Sequence, residues 1–423
     1  MGKEIKDKLA YGRFQSRRRK VFIFMIDAPP RSKKSISLDE KAEFQEQLRK
    51  AISKFKSAPF SESLAVAITV TVNEKDPPHI HTIPKNYLDL CTGIVYNDDS
   101  QIEYLAINYH MTDSRGPHMT FEFYPMVSLR QDLRFSYSIV THSQRNKELL
   151  RMAGESPDDY DTPMEELRRF QRHITATEKT HGKEVVDRLL TWYTKEAQEY
   201  ALRSISLSLG VLESLIAPKS KYAYLKGFTH SKVLKDIQAS NYKVGQGLAN
   251  AILKSKIRMQ VLAIPVKSGD GKQFRAEIKK QMKDFRLKVP LFSKLYSPVG
   301  LEVLFVPPAG EVSVVRDMDN VMRKIVPSFH EEFSPPISSM HTTDLMSLPA
   351  DMRDRYRQWM SVFPKGLKSQ VLNYEIFRVA ADRSLETRGQ VSIGLCEGQF
   401  KRNLLDKTQD IVEKWWEIRD DWS

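Results

Sequence analysis

At 423 residues, 41% of them hydrophobic, the chain is long enough for two or three domains and apolar enough to bury a core, which excludes a disordered chain. Lys and Arg number 66 against 53 Asp and Glu, a formal charge of +13, so a polyanion, nucleic acid first, leads the candidate partners. Cys91 and Cys396 are the only cysteines, too few for a disulfide framework or a Cys-rich zinc site, and their scarcity suits a reducing cytoplasm.

Residues 1–20 are polar and basic, with Lys3, Lys6, Lys8, Arg13 and the cluster Arg17, Arg18, Arg19 and Lys20. They read as a mobile arm that either neutralises nucleic-acid phosphates or is a solvated terminus. The apolar run from Val21 to Ile26 stops at Asp27. It is shorter than a signal-peptide core and far short of a membrane span, so it reads as a strand, and a membrane is not among the expected partners.

A first unit is expected over 21–125. After the strand from Val21, Phe44, Leu48, Ala51, Ile52 and Phe55 share one helix face. A strand from Leu64 to Val72 follows, then Pro77 to Lys85, a short helix to Leu90 and the turn Tyr96 to Gln101. Strands Ile102 to Tyr109 and Met119 to Tyr124 close the unit.

The same order recurs over 257–397, the mark of an internal repeat. A strand at Met259 to Ile264 leads to a helix with Phe274, Ile278, Met282 and Phe285 on one face. Then come a strand at Gly300 to Val306, a helix opening around Arg316 to Arg323, and strands Val371 to Val379 and Gln390 to Leu395. Ser100-Gln101-Ile102 answers Ser369-Gln370-Val371. The second copy carries an insertion at about 334–368, with a helix around Met352 to Trp359.

The expected fold class is α/β, in its α+β sense: two mixed-sheet units with helices, joined by a mostly helical region over 126–256. That region holds a long helix from about Lys183 to Ile216. A C-terminal helix over 398–423 carries Trp415, Trp416 and Trp422, which dock it or a partner.

Three other signals weigh less. The four carboxylates of Glu155 to Asp161 lack EF-hand spacing and read as a solvated turn. Basic and aromatic residues interleave from Lys219 to Lys235, either as a base-stacking strip or as core anchors. The lone Gly-x-Gly at Gly245 and Gly247 is no dinucleotide fingerprint.

Asp317 and Asp319 stand two apart at a strand-to-helix junction, with Asn320 at the helix start and Arg323 one turn on. Their carboxylates can converge on a hard divalent cation, which activates water and neutralises developing charge while a nearby cation assists a leaving phosphate. Asp98-Asp99-Ser100-Gln101 enters a strand in the first half, where a third carboxylate would be supplied. Each signal alone also reads as an ordinary cap or acidic turn.

Together, Asp-x-Asp-Asn followed by a basic residue, and Asp-Asp-x-Gln before a strand, resemble the RusA family of Holliday-junction resolvases. The resemblance covers about 21–125 and 257–397. It implies two RusA-like units in one chain, a single-chain pseudo-dimer to which further oligomerisation is open, and Mg²⁺-dependent cleavage of branched DNA in recombination and repair. By the resemblance, Asp317, Asp319, Asp98 and Asp99 are metal ligands, Lys85 and Arg323 are the basic catalytic groups, and Asn320 and Gln101 contact nucleic acid; Arg17, Arg18, Arg19 and Lys20 lie outside it and are nucleic-acid contacts on their charge alone. His79, His81 and Thr82 stand where the first half would carry Asp, Asp and Asn, and Leu367-Lys368 replaces the acidic pair of the second half.

Three readings of this split stay open. The second half recruits an acid from its insertion, such as Asp344 or Asp351, and cuts DNA with Mg²⁺. Alternatively, His79 and His81, pointing the same way on an extended segment, join Asp99 around Mn²⁺ or Zn²⁺. Or both sites have decayed and the chain is a nucleic-acid-binding or scaffold subunit of a phage or defence assembly. Each half is expected to hold its own ligands, and a chain with one working site nicks rather than resolves.

Overall fold

The computed structural model describes residues 3–55, 59–72, 78–111, 116–142, 146–154, 258–261, 271–289, 297–306, 317–333, 371–378, 390–398 and 402–420, with single positions between 172 and 212 and at 292 and 295. The acidic turn at 155–161, the basic and aromatic strip at 219–235, the Gly-x-Gly segment, the insertion at 334–368 with Asp344 and Asp351, Leu367-Lys368 and Trp422 lie outside the described residues. So does most of the long helix expected over 183–216, of which Gln198, Glu199, Leu202, Leu209, Gly210 and Leu212 are described and helical.

Eight strands form one mixed sheet: β1 (Phe22–Ile26), β2 (Leu64–Val72), β3 (Ile102–Met111), β4 (His118–Pro125), β5 (Arg258–Val261), β6 (Val299–Val306), β7 (Val371–Arg378) and β8 (Gln390–Glu397). Their spatial order is β1-β4-β2-β3-β7-β6-β8-β5. In each half the second and third strands run parallel and the fourth pairs antiparallel with the first and second. The sheet therefore has the same sequence of strands from either edge.

The central join is antiparallel, with Tyr104 opposite Phe377, Ala106 opposite Glu375 and Asn108 opposite Asn373. Ala106 and Glu375 follow Ile102 and Val371 at the same spacing. The register is thus symmetric about this one pair, as a two-fold axis through it requires. Each half also has a register break at the start of its second strand, at Leu64/Ala65 and at Val299/Gly300. At the second break a side chain on Gly300 would collide with Asn373 and the Glu397 carbonyl, which itself accepts from Asn373 Nδ2 at 3.2 Å.

Helices cover both faces, so the central strands are buried on both sides and read as nearly continuous apolar runs. In β2, Leu64, Val66, Ile68, Val70 and Val72 face one core while Ala65 and Ala67 face the other. The first core packs α2 (Leu38–Ile52), α3 (Ile83–Cys91), α6 (Gly271–Lys288) and α7 (Met318–Phe333) through Phe44, Leu48, Leu88, Phe274, Met282 and Phe329. The second holds α1 (Lys3–Arg18), α4 (Met126–His142), α5 (Lys147–Ala153) and α8 (Leu404–Asp420). Ser37 and Glu40 close a capping box at the start of α2, with Glu40 N donating to Ser37 Oγ at 3.1 Å and Ser37 N to Glu40 Oε2 at 2.7 Å.

The N-terminal segment departs from the expected mobile arm. Residues Lys3–Arg18 are helical, Phe14 is fully buried, and Tyr11 stacks on Trp416 with ring centroids 4.3 Å apart. Arg17 pairs with the buried Asp132, and Arg18 bonds Gln409 and lies over the Tyr124 ring. An amphipathic stretch with apolar residues at Tyr11 and Phe14 had a helix to form and a core to join. Arg19 and Lys20 remain exposed. Trp415 and Trp416 dock α8 as expected, Trp415 edge-on to Phe135.

Candidate metal centre

The chain enters α7 at Asp317, whose carbonyl accepts from Val321 N and whose Oδ2 accepts from Asn320 Nδ2 at 2.7 Å. Asp319 lies in the first turn, where the helix dipole favours an anion, and is 2% exposed. From the other half, Asp99 heads the 3-10 turn that leads into β3. Oxygens of Asp99, Asp317 and Asp319 all lie within 4.8 Å of one another. The site is composite, which corrects the expectation that each half holds its own ligands.

The symmetric sheet explains the meeting. Antiparallel pairing of β3 with β7 brings the entry to β3 beside Arg378 at the end of β7, whose guanidinium donates to the Ser100 and Ile102 carbonyls at 3.2 Å. The turn bearing Asp99 is thereby tied to the second half, and α7 supplies the other two carboxylates.

Asp99 is held from three sides. Its Oδ1 accepts from Thr92 Oγ1 and the buried Tyr96 hydroxyl, both at 3.0 Å, and its Oδ2 accepts from Lys85 Nζ at 3.2 Å. Thr92 and Tyr96 escape sequence reasoning, although Tyr96 opens the Asn97-Asp98-Asp99 turn. Asp98 takes another role: it is exposed and caps the 3-10 turn by accepting from Ser100 N at 2.7 Å. Only one of the adjacent aspartates joins the cluster. Gln101 clamps the same turn, accepting from Asn97 N and Asp98 N and donating to the Phe60 and Glu62 carbonyls. Its amide is spent on backbone.

Lys85 is the cation of the site. Its Nζ lies 2.8 Å from Asp89, 3.2 Å from Asp99 and 3.9 Å from both Asp317 and Asp319. Burial alone would lower its pKa, but the Asp89 bond and the charges of Asp319 and Asp99 outweigh it and raise the pKa above the ordinary range. Asp319 is pushed up to about 6, by burial first and then by Asp317 and Asp99 acting against Lys85. Asp317 is raised by burial first and then by Asp99 and Asp98, against Lys85. Asp319 Oδ2 is buried without a hydrogen bond, with the Lys85 ammonium 3.9 Å away. A buried carboxylate oxygen that accepts no hydrogen bond and lies beside two other carboxylates can take a cation as its partner.

Arg323, expected as a basic catalytic group, is exposed, and its charge is felt at His81. His79 and His81 do not lie on an extended segment, because His79 precedes a 3-10 turn over Ile80–Thr82. Their ring centroids are 5.4 Å apart and His79 is 6.1 Å from His330. Among the described residues, the one group able to share an ion contains no histidine.

The donor set is all carboxylate, which suits a hard cation such as Mg²⁺ or Mn²⁺ better than a soft one. The three carboxylates offer oxygens within 4.8 Å of one another, close enough to draw in around one ion with bonds of about 2.1 Å. No helix among the described residues is long and apolar enough to cross a membrane. Comparison with family models, curated proteins and solved structures finds no match for the chain.

Proposed function

We propose that the chain is a RusA-like, Mg²⁺- or Mn²⁺-dependent endonuclease that acts on branched DNA, built as a fused pseudo-dimer with one working site. The observation that carries this reading is the three-carboxylate group assembled from both halves, in which Asp319 Oδ2 is buried and accepts no hydrogen bond. It supports the resemblance because the opposite losses of the two halves fall on different sites: the second half's Asp317 and Asp319 meet the acidic turn of the first. No acid from the insertion is needed to complete the set.

In this reading Asp99, Asp317 and Asp319 would hold the cation, which would supply an activated water and a charge sink for the phosphate. Lys85, paired with the carboxylates, would stabilise charge on the departing oxygen. Tyr96 and Thr92 hold Asp99 Oδ1 and so fix the carboxylate that would serve as a ligand. The net charge of +13 supplies the long-range attraction for a polyanion.

A labelled four-way junction incubated with Mg²⁺ or Mn²⁺ tests the reading. Single nicks that disappear in Asp319→Ala support it. Salt-sensitive binding without any cleavage supports a scaffold subunit instead, and no binding to branched, duplex or single-stranded nucleic acid removes both.

A further inference from the structure

Lys85 stands at the edge of the carboxylate group and not in its middle. Its Nζ is nearest to a carboxylate outside the group, Asp89 Oδ1 at 2.8 Å, ahead of Asp99 at 3.2 Å and of Asp317 and Asp319 at 3.9 Å each. The last two distances are too long for hydrogen bonds. The group attracts the ammonium, yet a single aspartate that does not belong to it holds it most closely.

The sequence builds this tether locally. Lys85 and Asp89 are one turn apart on α3, the spacing that sets two side chains of a helix beside each other. The helix itself is fixed, because Ile83, Tyr87 and Leu88 are buried. Asp89 is held in turn by the segment ahead of α2, its Oδ2 accepting from Lys33 Nζ at 2.8 Å. That segment is docked on α3 where Arg31 N donates to the Tyr87 hydroxyl at 3.0 Å and Asn86 Nδ2 donates to the Arg31 carbonyl at 3.3 Å. Each Asp89 oxygen therefore has its own lysine. In the second half, the residue as far beyond Arg323 as Asp89 is beyond Lys85 is Pro327, inside α7, which offers no charge. The tether accompanies the lysine that pairs with the carboxylate group.

A lysine and a divalent cation compete for the same carboxylate oxygens, so an untethered Lys85 would be drawn toward Asp317 and Asp319 and oppose the ion. We infer that Asp89 is a positioning residue that anchors the Lys85 ammonium at the edge of the carboxylate group and so keeps the group open to a divalent cation. Asp89 acts through Lys85 and is not itself a ligand. The inference rests on the metal-binding part of the proposed function and not on the nuclease part.

The test titrates Mn²⁺ into the full chain and follows the free ion by electron paramagnetic resonance, with Asp319→Asn giving the uptake that occurs elsewhere on the protein. Asp89→Asn keeps the shape of a side chain that is 31% exposed. It is expected to weaken Mn²⁺ binding about tenfold, whereas the same change made in Lys85→Met should alter it less than about twofold. Unchanged affinity in Asp89→Asn overturns the inference. So does an equal loss in the two backgrounds, which would mean that the Asp89 charge acts on the ion directly through space. A parent that takes up no more Mn²⁺ than Asp319→Asn removes the metal centre and the inference with it. The expected cycle in a parent that leaves four-way junctions intact retains the positioning role and removes only the nuclease.

Discussion

Asp99 and Asp319 come from opposite halves of the sheet, yet their carboxylate oxygens approach within 4.8 Å with Lys85 between the two groups. A cluster of this kind stores repulsion in the metal-free protein and releases it when a cation enters.

Replacing Asp319 with Asn should therefore stabilise the metal-free chain. The folded pKa of about 6 lies above the ordinary carboxylate value of 3.8. The native state holds this proton more tightly than the unfolded chain does, so stability falls as pH rises from about 4 to 6 and the full cost persists above 6. At about 1.4 kcal/mol per unit, Asp319→Asn is expected to gain about 1–3 kcal/mol at pH 7.5 in EDTA. Urea unfolding measures it, and adding Mg²⁺ should then stabilise the parent but not the variant. A variant less stable than the parent in EDTA would contradict the repulsion account.

Lys85→Met should behave in the opposite way. It leaves Asp89, Asp99, Asp317 and Asp319 without their shared cation. Removing one member of a partly buried ionic network costs about 3 kcal/mol, here expected at pH 7.5 in EDTA. Mg²⁺ should restore a larger part of the melting temperature than it adds to the parent, since the metal now supplies all the compensating charge. An equal Mg²⁺ shift in both proteins would argue that Lys85 and the metal do not compete for the same carboxylates.

The parts that sequence could show were those with a local period or a local cap. β2 was legible to the residue because Leu64 to Val72 is a β-branched and apolar run broken only by Thr69 and Thr71, and α2 and α6 because Phe44 and Leu48, or Phe274, Ile278, Met282 and Phe285, repeat at helical spacing. Asp317 and Asp319 were legible as a pair. Their partner was not, because which half supplies Asp99 depends on the β3 to β7 join, and an antiparallel pairing between distant strands leaves no mark in either strand's pattern. Likewise Lys3–Arg18 looked like a charged tail, since Tyr11 and Phe14 reveal a buried face only against Trp416 and Phe135.

His81 gives the fold a second pH dependence. Burial first, then the charges of His79, His330 and Arg323, push its pKa down to about 3 from an ordinary 6.5. The unfolded chain then takes up a proton below 6.5 that the native state refuses. The contribution is fully present above that pH and is lost progressively as pH falls toward 3. Between pH 7.5 and 5.0 the parent should lose about 2 kcal/mol more than His81→Gln in urea unfolding. Parallel losses in the two proteins would show that His81 protonates in place.

Arg17 distinguishes an anchored first helix from a nucleic-acid arm. Its guanidinium pairs with Asp132, which is buried and also accepts from the Tyr124 hydroxyl. Burial raises the Asp132 pKa even against these donors. Arg17→Ala strands that carboxylate in the second core and is expected to cost about 3 kcal/mol in urea unfolding at pH 7.5. Exposed Arg19 makes the control: Arg19→Ala should leave stability within about 0.5 kcal/mol of the parent, as surface changes usually do. Junction binding should fall no further in Arg17→Ala than in Arg19→Ala once both are folded, because Arg17 is turned toward Asp132. A reduced salt slope in Arg17→Ala with unchanged stability would reverse the assignment and return this residue to the phosphate-binding surface.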